Sequence, residues 1–394
     1  MDVALALDVL ALLVGAGALG IVLAGVAQAA RSARVPPLAL GPRPSASVIV
    51  PCKGHHPGLA ENLVALATQD YDDYEVLVVV DDVQDPCAAV AQGVAMDHPK
   101  VRVVLTDPVA VGSGWATGKI AAQLTGVHGA RPGSEVLVFA DGDGRPSVAW
   151  LAAMVAPLAD ARVGAVTGYR WYHAAGAPTA WTALRDAWNA SGLEAMTTPR
   201  LRFLWGGSMA VRRADFERST VRDAWRRDVS EDVGLTRAIQ ALGFDLAFAP
   251  RAVVASPDDW DRAEVLAWVV RQTALTRVAL PRLYRFAAGV YGASVALLVA
   301  GLLLAAAGPS PALHAAGLLM LAPMLAAPAR AALRARMVRA ALPTLANRPA
   351  RERTLQLAAS LAVPWLMLWA LAKARRVEAI DWRGRRYRLP TPEA

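Results

Sequence analysis

Five short stretches of this chain carry residues whose types and spacing suit chemistry on a phosphorylated ligand. Asp141-Gly142-Asp143 sets two carboxylates one glycine apart, so both can turn toward one hard divalent cation (Mg²⁺ or Mn²⁺), with a diphosphate supplying further oxygens. Asp81-Asp82 ends an apolar run, where one of the pair is suited to accept from a base or ribose. Ser230-Glu231-Asp232 precedes a helical stretch; Ser230 suits the N-cap and the acids suit the first turn. Asp232 also suits a general base that removes the proton from an acceptor hydroxyl. Gly118-Lys119 opens another helix, and a lysine there opposes the helix dipole unless an anion such as phosphate answers it. Trp205-Gly206-Gly207-Ser208 reads as a turn that lets backbone approach a ligand closely. Each stretch taken singly has a plain structural reading as a turn, a cap or a solvated face. Their common position at element ends favours a nucleotide-diphosphate site.

The elements that must position these residues follow from periodicity. Ala46–Pro51, Tyr74–Val80, Val101–Leu105 and Val136–Ala140 are short, β-branched-rich apolar runs, each closed by a polar or turn signal. Helical patterns lie between them, at Leu59–Gln69 and from Gly118 to Thr125, with a further one at Val233–Leu242. Strands alternating with helices imply an α/β fold with a mostly parallel sheet covered on both faces. Ligands bind such sheets beyond the carboxyl ends of the strands, where the acidic pairs stand.

The rest of the chain is organised around apolar segments. Hydrophobic residues make up 55% of its 394 residues and the formal net charge is +8. Residues 1–30 are expected to be a transmembrane anchor with its N-terminus outside, because Arg31 and Arg34 follow it. Residues 31–44 form a proline-rich linker, 45–260 the catalytic domain, 261–285 an amphipathic helix on the membrane surface, and 286–329 two further spans. Residues 330–394 hold two basic clusters around Leu355–Ala372, a segment expected to be interfacial or re-entrant rather than a fourth span, with Pro364 at its middle. The arginines lie beside apolar segments, which fits anionic lipid rather than nucleic acid. Cys52 and Cys87 form no metal or redox spacing and are read as free thiols in a cytoplasmic domain of a bacterial inner or plasma membrane protein.

In order, these motifs resemble the GT-A glycosyltransferases of family 2, and most closely the ceramide glucosyltransferase-like branch, family 21. The likeness is carried by Val48–Gly54 with Glu61-Asn62-Leu63, by Tyr74–Pro86, by Gly118-Lys119-Ile120, by Asp141 and Arg145, by Glu231-Asp232, and by the tail Trp382–Leu389. The resemblance implies a GT-A domain between N- and C-terminal transmembrane helices. It also implies inverting transfer of a sugar from a nucleotide-sugar donor, UDP-glucose or similar, to a lipid hydroxyl such as that of ceramide. Donor binding then falls to Pro51, Lys53, Asp82, Lys119, Asp141 and Arg145, and the metal to Asp141 and Asp143. Gly207, Glu231, Arg271 and Gln272 face the acceptor, and Asp232 is the base. One motif departs from the family's pattern on the interfacial helix: Trp268-Val-Val-Arg271-Gln272 keeps the arginine but has Gln272 where a tryptophan is usual. Rival readings are a processive polysaccharide synthase and a non-catalytic nucleotide-binding membrane scaffold.

Overall fold

The computed structural model describes residues 3–38, 41–107, 109, 112, 116–382 and 385–389. Its centre is a seven-stranded sheet of β1 (Ala46–Cys52), β2 (Tyr74–Val80), β3 (Val101–Leu105), β4 (Val136–Ala140), β5 (Val163–His173), β6 (Ser208–Arg212) and β7 (Asp245–Pro257), in the order β3-β2-β1-β4-β6-β5-β7. All pairings are parallel except those of β6 with β4 and with β5. Every residue of β2 and of β4 is buried, as expected of strands covered on both faces. One face packs helices Leu59–Ala67, Pro86–Asp97 and Trp150–Val155; the other packs Gly118–Gly129, Arg213–Arg218, Val221–Arg227 and Glu231–Ala241.

Two features of this topology make a cleft. The chain runs outward through β1, β2 and β3, then returns to add β4 on the other side of β1, so the strand order reverses between β1 and β4 and leaves a crevice at their carboxyl ends. The antiparallel β6 then begins where β4 ends, Ala140 facing Ser208, which sets the Trp205–Gly207 turn beside Asp141. Strands β5 and β7 are long and continue past β6, pairing Tyr169–His173 with Val253–Pro257 beyond it. None of these last three strands was among the elements expected from periodicity.

Among the described residues, three helices are long and apolar enough to cross a membrane: Val3–Ser32, Pro281–Ala307 and Pro311–Ala341, the last broken near Leu321 and Ala326. The third therefore runs on through Arg330, Arg334, Arg336 and Arg339, and does not stop before the first basic cluster. Small residues let them approach. A Cβ on Gly301 would sit 2.9 Å from the Gly317 carbonyl oxygen. Ser310, in the turn between the second and third, donates to Asp8 near the start of the first at 2.6 Å. Leu355–Ala372 is divided between helices Ala350–Ala359 and Val363–Ala374, bent by 57° at the break, with Pro364 in the first turn of the second. The expected amphipathic helix of 261–285 is Arg262–Ala279, ended at Leu280 before Pro281 starts the next helix. Its apolar face is not free. Val265, Trp268 and Val269 pack on Tyr172 and on Leu366 and Ala370, so domain and C-terminal helices share one core there.

Candidate active site

Asp141 leaves β4 at the crevice, and the turn after it is held from several sides. Buried Asn62 donates to the Gly142 carbonyl at 3.0 Å and accepts from Arg145 Nε at 3.1 Å. A Cβ on Gly142 would lie 2.9 Å from Cys52 Sγ, so only glycine lets the turn sit against β1. The Gly207 carbonyl accepts from Asp141 N at 3.3 Å, and a Cβ there would meet the Trp205 ring at 2.2 Å and Asp141 Oδ2 at 2.7 Å. The glycines of both motifs are therefore the condition for bringing the two strand ends together.

Around Asp141 stands a compact ionic cluster. Lys119, in the first turn of Gly118–Gly129, reaches Asp141 Oδ1 at 2.7 Å and Glu231 Oε1 at 2.6 Å. The anion that answers the dipole-opposing lysine is thus a pair of the protein's own carboxylates. Arg170, near the end of β5, meets Asp141 Oδ2 at 3.2 Å and both oxygens of Asp143. Its other terminal nitrogen donates to the Tyr172 hydroxyl at 2.9 Å, and its guanidinium lies 5.0 Å from the Trp205 ring centroid. Burial acts to lower the Lys119 pKa, but the charges of Asp141 and Glu231 outweigh it and raise it. Burial pushes the Glu231 carboxyl up, with Lys119 opposing. For Asp143 burial is overcome by the Arg170 charge, which holds it below the usual carboxylate range.

Among the described residues, Asp232 pairs with no cation and is fixed by hydrogen bonds. Its Oδ2 accepts from Gly206 N at 3.0 Å, and its Oδ1 from Val233 N at 2.8 Å and from the Ser230 hydroxyl. Ser230 therefore makes no side-chain cap, contrary to expectation; its hydroxyl serves Asp232 instead. Of the Asp81-Asp82 pair it is Asp81 that turns inward, to Lys53 at 3.1 Å and Thr106 at 3.1 Å. Asp82 is exposed and caps Gln84 N at 2.9 Å. Arg145 stands behind the site, with Nε on Asn62 and its backbone paired to Ala255.

Two cavities meet at the cluster. One of about 130 Å³ is lined by Pro51, Lys53, Asp81, Asp141 and Asp143, together with Tyr387 from the C-terminal hairpin β8 (Ala379–Trp382) and β9 (Arg385–Arg388). The Tyr387 hydroxyl lies 3.5 Å from Gly118 N, so the tail reaches the site; Arg383, Gly384 and residues 390–394 lie outside the described residues. The other cavity, of about 1080 Å³, is lined by Asp141, Glu231 and Asp232 at one end and by Ile21, Val290 and Met324 of the three long helices at the other. Gly207, Arg271 and Gln272 line it too. Trp268 is packed among Trp188, Trp260 and Tyr172, at centroid distances of 5.0, 5.4 and 5.4 Å. Sequence reasoning passed over Arg170, Asp81 as the inward member of its pair, and Tyr387 as a site residue. A lone arginine in the apolar run Val163–His173 was the available signal, because a charge in a buried strand requires a buried partner.

The donor set suits a hard divalent cation: two carboxylates at a crevice, with room for a diphosphate. No group of three or more His, Cys, Asp or Glu suited to a metal occurs among the described residues, so a cation there relies on ligand oxygens as well. In this arrangement all four oxygens of Asp141 and Asp143 are engaged by Lys119 or Arg170.

Among solved structures, the chain is similar to the mannosyltransferase PcManGT from Pyrobaculum calidifontis, described in complex with GDP-Man and Mn²⁺. The identity is 24% over 94% of this chain and 97% of that one, with a TM-score of 0.50, a likeness of fold. It also matches glucosyl-3-phosphoglycerate synthase from Mycobacterium tuberculosis, described with Mn²⁺, UDP and glucosyl-3-phosphoglycerate. There the identity is 16% over 60% of this chain and 80% of that one, with a TM-score of 0.42. No curated protein matches the chain in sequence. The model of glycosyl transferase family 21 matches residues 9–393, nearly end to end, and the chain belongs to that family.

Proposed function

We propose that the protein transfers a sugar from a nucleotide-sugar donor to a lipid hydroxyl, with its catalytic domain on the cytoplasmic side of a membrane. The observation that carries this reading is the larger cavity, lined by Asp141, Glu231 and Asp232 and also by Ile21, Val290 and Met324 of the long helices, together with Glu194 and the Arg330 and Arg334 paired to it. A water-soluble acceptor would have no use for the apolar side chains of the long helices. A lipid would lie along it with its hydroxyl at Asp232.

On this reading the nucleotide occupies the smaller cavity by Lys53 and Asp81, and the diphosphate lies against Lys119, Asp141 and Asp143. Arg145 supports that turn through Asn62. A divalent cation, Mg²⁺ or Mn²⁺ held through Asp141 and Asp143, supplies charge neutralisation for the departing diphosphate when bound. Asp232, fixed by three donors, takes the acceptor's proton as the acceptor oxygen bonds to the anomeric carbon. The bond from that carbon to the diphosphate breaks on the opposite face, so the configuration inverts. Gly207 and Glu231 form the wall beside Asp232, and Arg271 and Gln272 line the same cavity. PcManGT, of like fold, is described with ligands of this class.

For topology, the Asp8–Ser310 contact brings the start of the first helix to the turn between the other two. Arg31 lies in the last turn of the first helix, Arg34 follows it, and Arg330–Arg339 end the third, toward the domain, in keeping with a cytoplasmic site. The bent pair of Ala350–Ala359 and Val363–Ala374 then fits a re-entrant segment with both flanking basic clusters inside. The test is a mass-spectrometric comparison of lipids from cells with and without the protein. A glycolipid present only with the protein is expected; identical lipid profiles under expression of an active protein would contradict the reading.

A further inference from the structure

Arg170 is the one strongly engaged member of the ionic cluster with no part in the proposed transfer. It comes from β5, a strand buried from Gly164 onward, and its side chain is 11% exposed. One terminal nitrogen bridges Asp141 Oδ2 and Asp143 Oδ1, while the other bonds Asp143 Oδ2 at 3.1 Å and the Tyr172 hydroxyl at 2.9 Å. Three of the four oxygens on the two carboxylates are thereby taken by one guanidinium, and Lys119 takes the fourth. Asn189 holds the Arg170 backbone by donating to its carbonyl at 2.8 Å, and the rings of Trp205 and Tyr172 lie 5.0 and 5.2 Å from its guanidinium. This is a built seat for a cation, and the protein fills it with its own side chain.

We propose that Arg170 is the resident counter-cation of Asp141 and Asp143, so that a divalent cation and the guanidinium compete for the same oxygens and the site takes the metal well only together with a nucleoside diphosphate. The competition follows from geometry and charge, since a dication on either Asp143 oxygen would stand beside the guanidinium that both oxygens hold. The coupling follows from charge. Asp141, Asp143 and Glu231 are paired with Lys119 and Arg170, and His56 also acts on Asp143. A metal arriving alone must displace the guanidinium, which then stands buried without an anion. A diphosphate arriving with the metal gives the guanidinium an anion in exchange, and bidentate binding of phosphate oxygens is what an arginine does best. Binding of either ligand therefore strengthens the other, by the same factor. This rests on reading Asp141 and Asp143 as the cation's carboxylates, and does not depend on which sugar or lipid is used.

The test is Mn²⁺ binding, followed by the electron paramagnetic resonance signal of the free ion, to the detergent-purified full chain with and without UDP or GDP. Wild type is expected to bind Mn²⁺ weakly alone and at least about tenfold more tightly with nucleotide. Arg170→Gln is expected to bind Mn²⁺ alone about tenfold or more tightly than wild type, and to lose most of the nucleotide coupling. Adding Asp141→Asn to that variant should remove the gain, which locates it at the pair. Arg170→Lys keeps the charge but loses the fork, so a smaller gain is expected; it also serves if Arg170→Gln does not fold, as judged by its melting curve. Equal Mn²⁺ affinity in wild type and both folded variants would overturn the inference while leaving sugar transfer standing. Absence of Mn²⁺ binding in every variant would overturn it together with the metal assignment. Failure to find a glycolipid product would bear on the proposed function and not on this result.

Discussion

Replacing Lys119 by methionine keeps much of the stem and removes the ammonium shared by buried Glu231 and half-buried Asp141. The contacts are 2.7 Å to Asp141 and 2.6 Å to Glu231, with Lys119 12% exposed at its side chain and Glu231 7%. At an effective dielectric of about 20, each contact is a gross attraction of about 6 kcal/mol, much of which offsets desolvation. Breaking such a buried arrangement by removing one partner costs about 3–5 kcal/mol. For a catalytic domain of this size that corresponds to a fall in Tm of roughly 6–20 °C. The pH dependence is also set. The raised Lys119 pKa means its contribution is complete below the ordinary lysine value and is lost only as pH rises through the raised one, so it is fully present at neutral pH. Glu231, raised chiefly by burial, favours the folded state when protonated, and that contribution is lost as pH rises. Without Lys119 to oppose burial, its carboxyl rises further. The deficit of Lys119→Met should therefore be largest near about pH 8 and shrink toward about pH 5. Melting curves of both proteins in detergent with EDTA measure this. A Tm within about 2 °C of wild type at pH 8 would refute the reasoning, as would a deficit that does not change with pH.

Asp232→Asn should lower turnover by about a hundredfold or more while leaving nucleotide affinity unchanged, measured by initial rates and calorimetry; near-normal turnover would leave Asp232 only its hydrogen bonds to Gly206 and Val233. Gly207→Ala forces a Cβ to 2.2 Å from the Trp205 ring, and is expected to cost about 1–3 kcal/mol and to weaken donor binding. Asp186, buried against Arg185, has its carboxyl pushed up to about 7 chiefly by burial. Its protonated form favours folding, so the contribution is present below the ordinary aspartate range and lost as pH rises through about 7. Asp186→Asn should flatten the fall in Tm across that window, and an unchanged slope would contradict the assignment.

What was legible in the sequence was local. Asp141-Gly142-Asp143, Gly118-Lys119 and Glu231-Asp232 each sit within a few residues of a strand or helix end, so one pattern gave both the element and its position. The first four strands were readable for the same reason: runs such as Tyr74–Val80, buried on both faces, differ sharply from the helices around them. That same two-faced burial hides which of Asp81 and Asp82 turns inward, because no alternation marks the faces. Arg170 was missed because its partners lie 27 and 29 residues back along the chain, across an antiparallel strand that periodicity had not identified. The helix Arg262–Ala279 looked fit for a membrane surface since its apolar positions are consistent with any apolar partner. The partners are Tyr172, far before the helix in the sequence, and Leu366, far after it. Tyr387 reaches Gly118 over a separation of 269 residues, which no local pattern could encode.

Transfer of sugar to lipid at the acidic cluster can be measured in vesicles. The purified chain, reconstituted with a membrane lipid extract and Mn²⁺, would be given radiolabelled nucleotide sugars one at a time, and the solvent-extractable lipid fraction counted. Label is expected in a lipid with one donor, and is expected to be lost in Asp141→Asn and with EDTA. Label that stays entirely in water-soluble products for every donor, from a protein that still binds nucleotide, would contradict it.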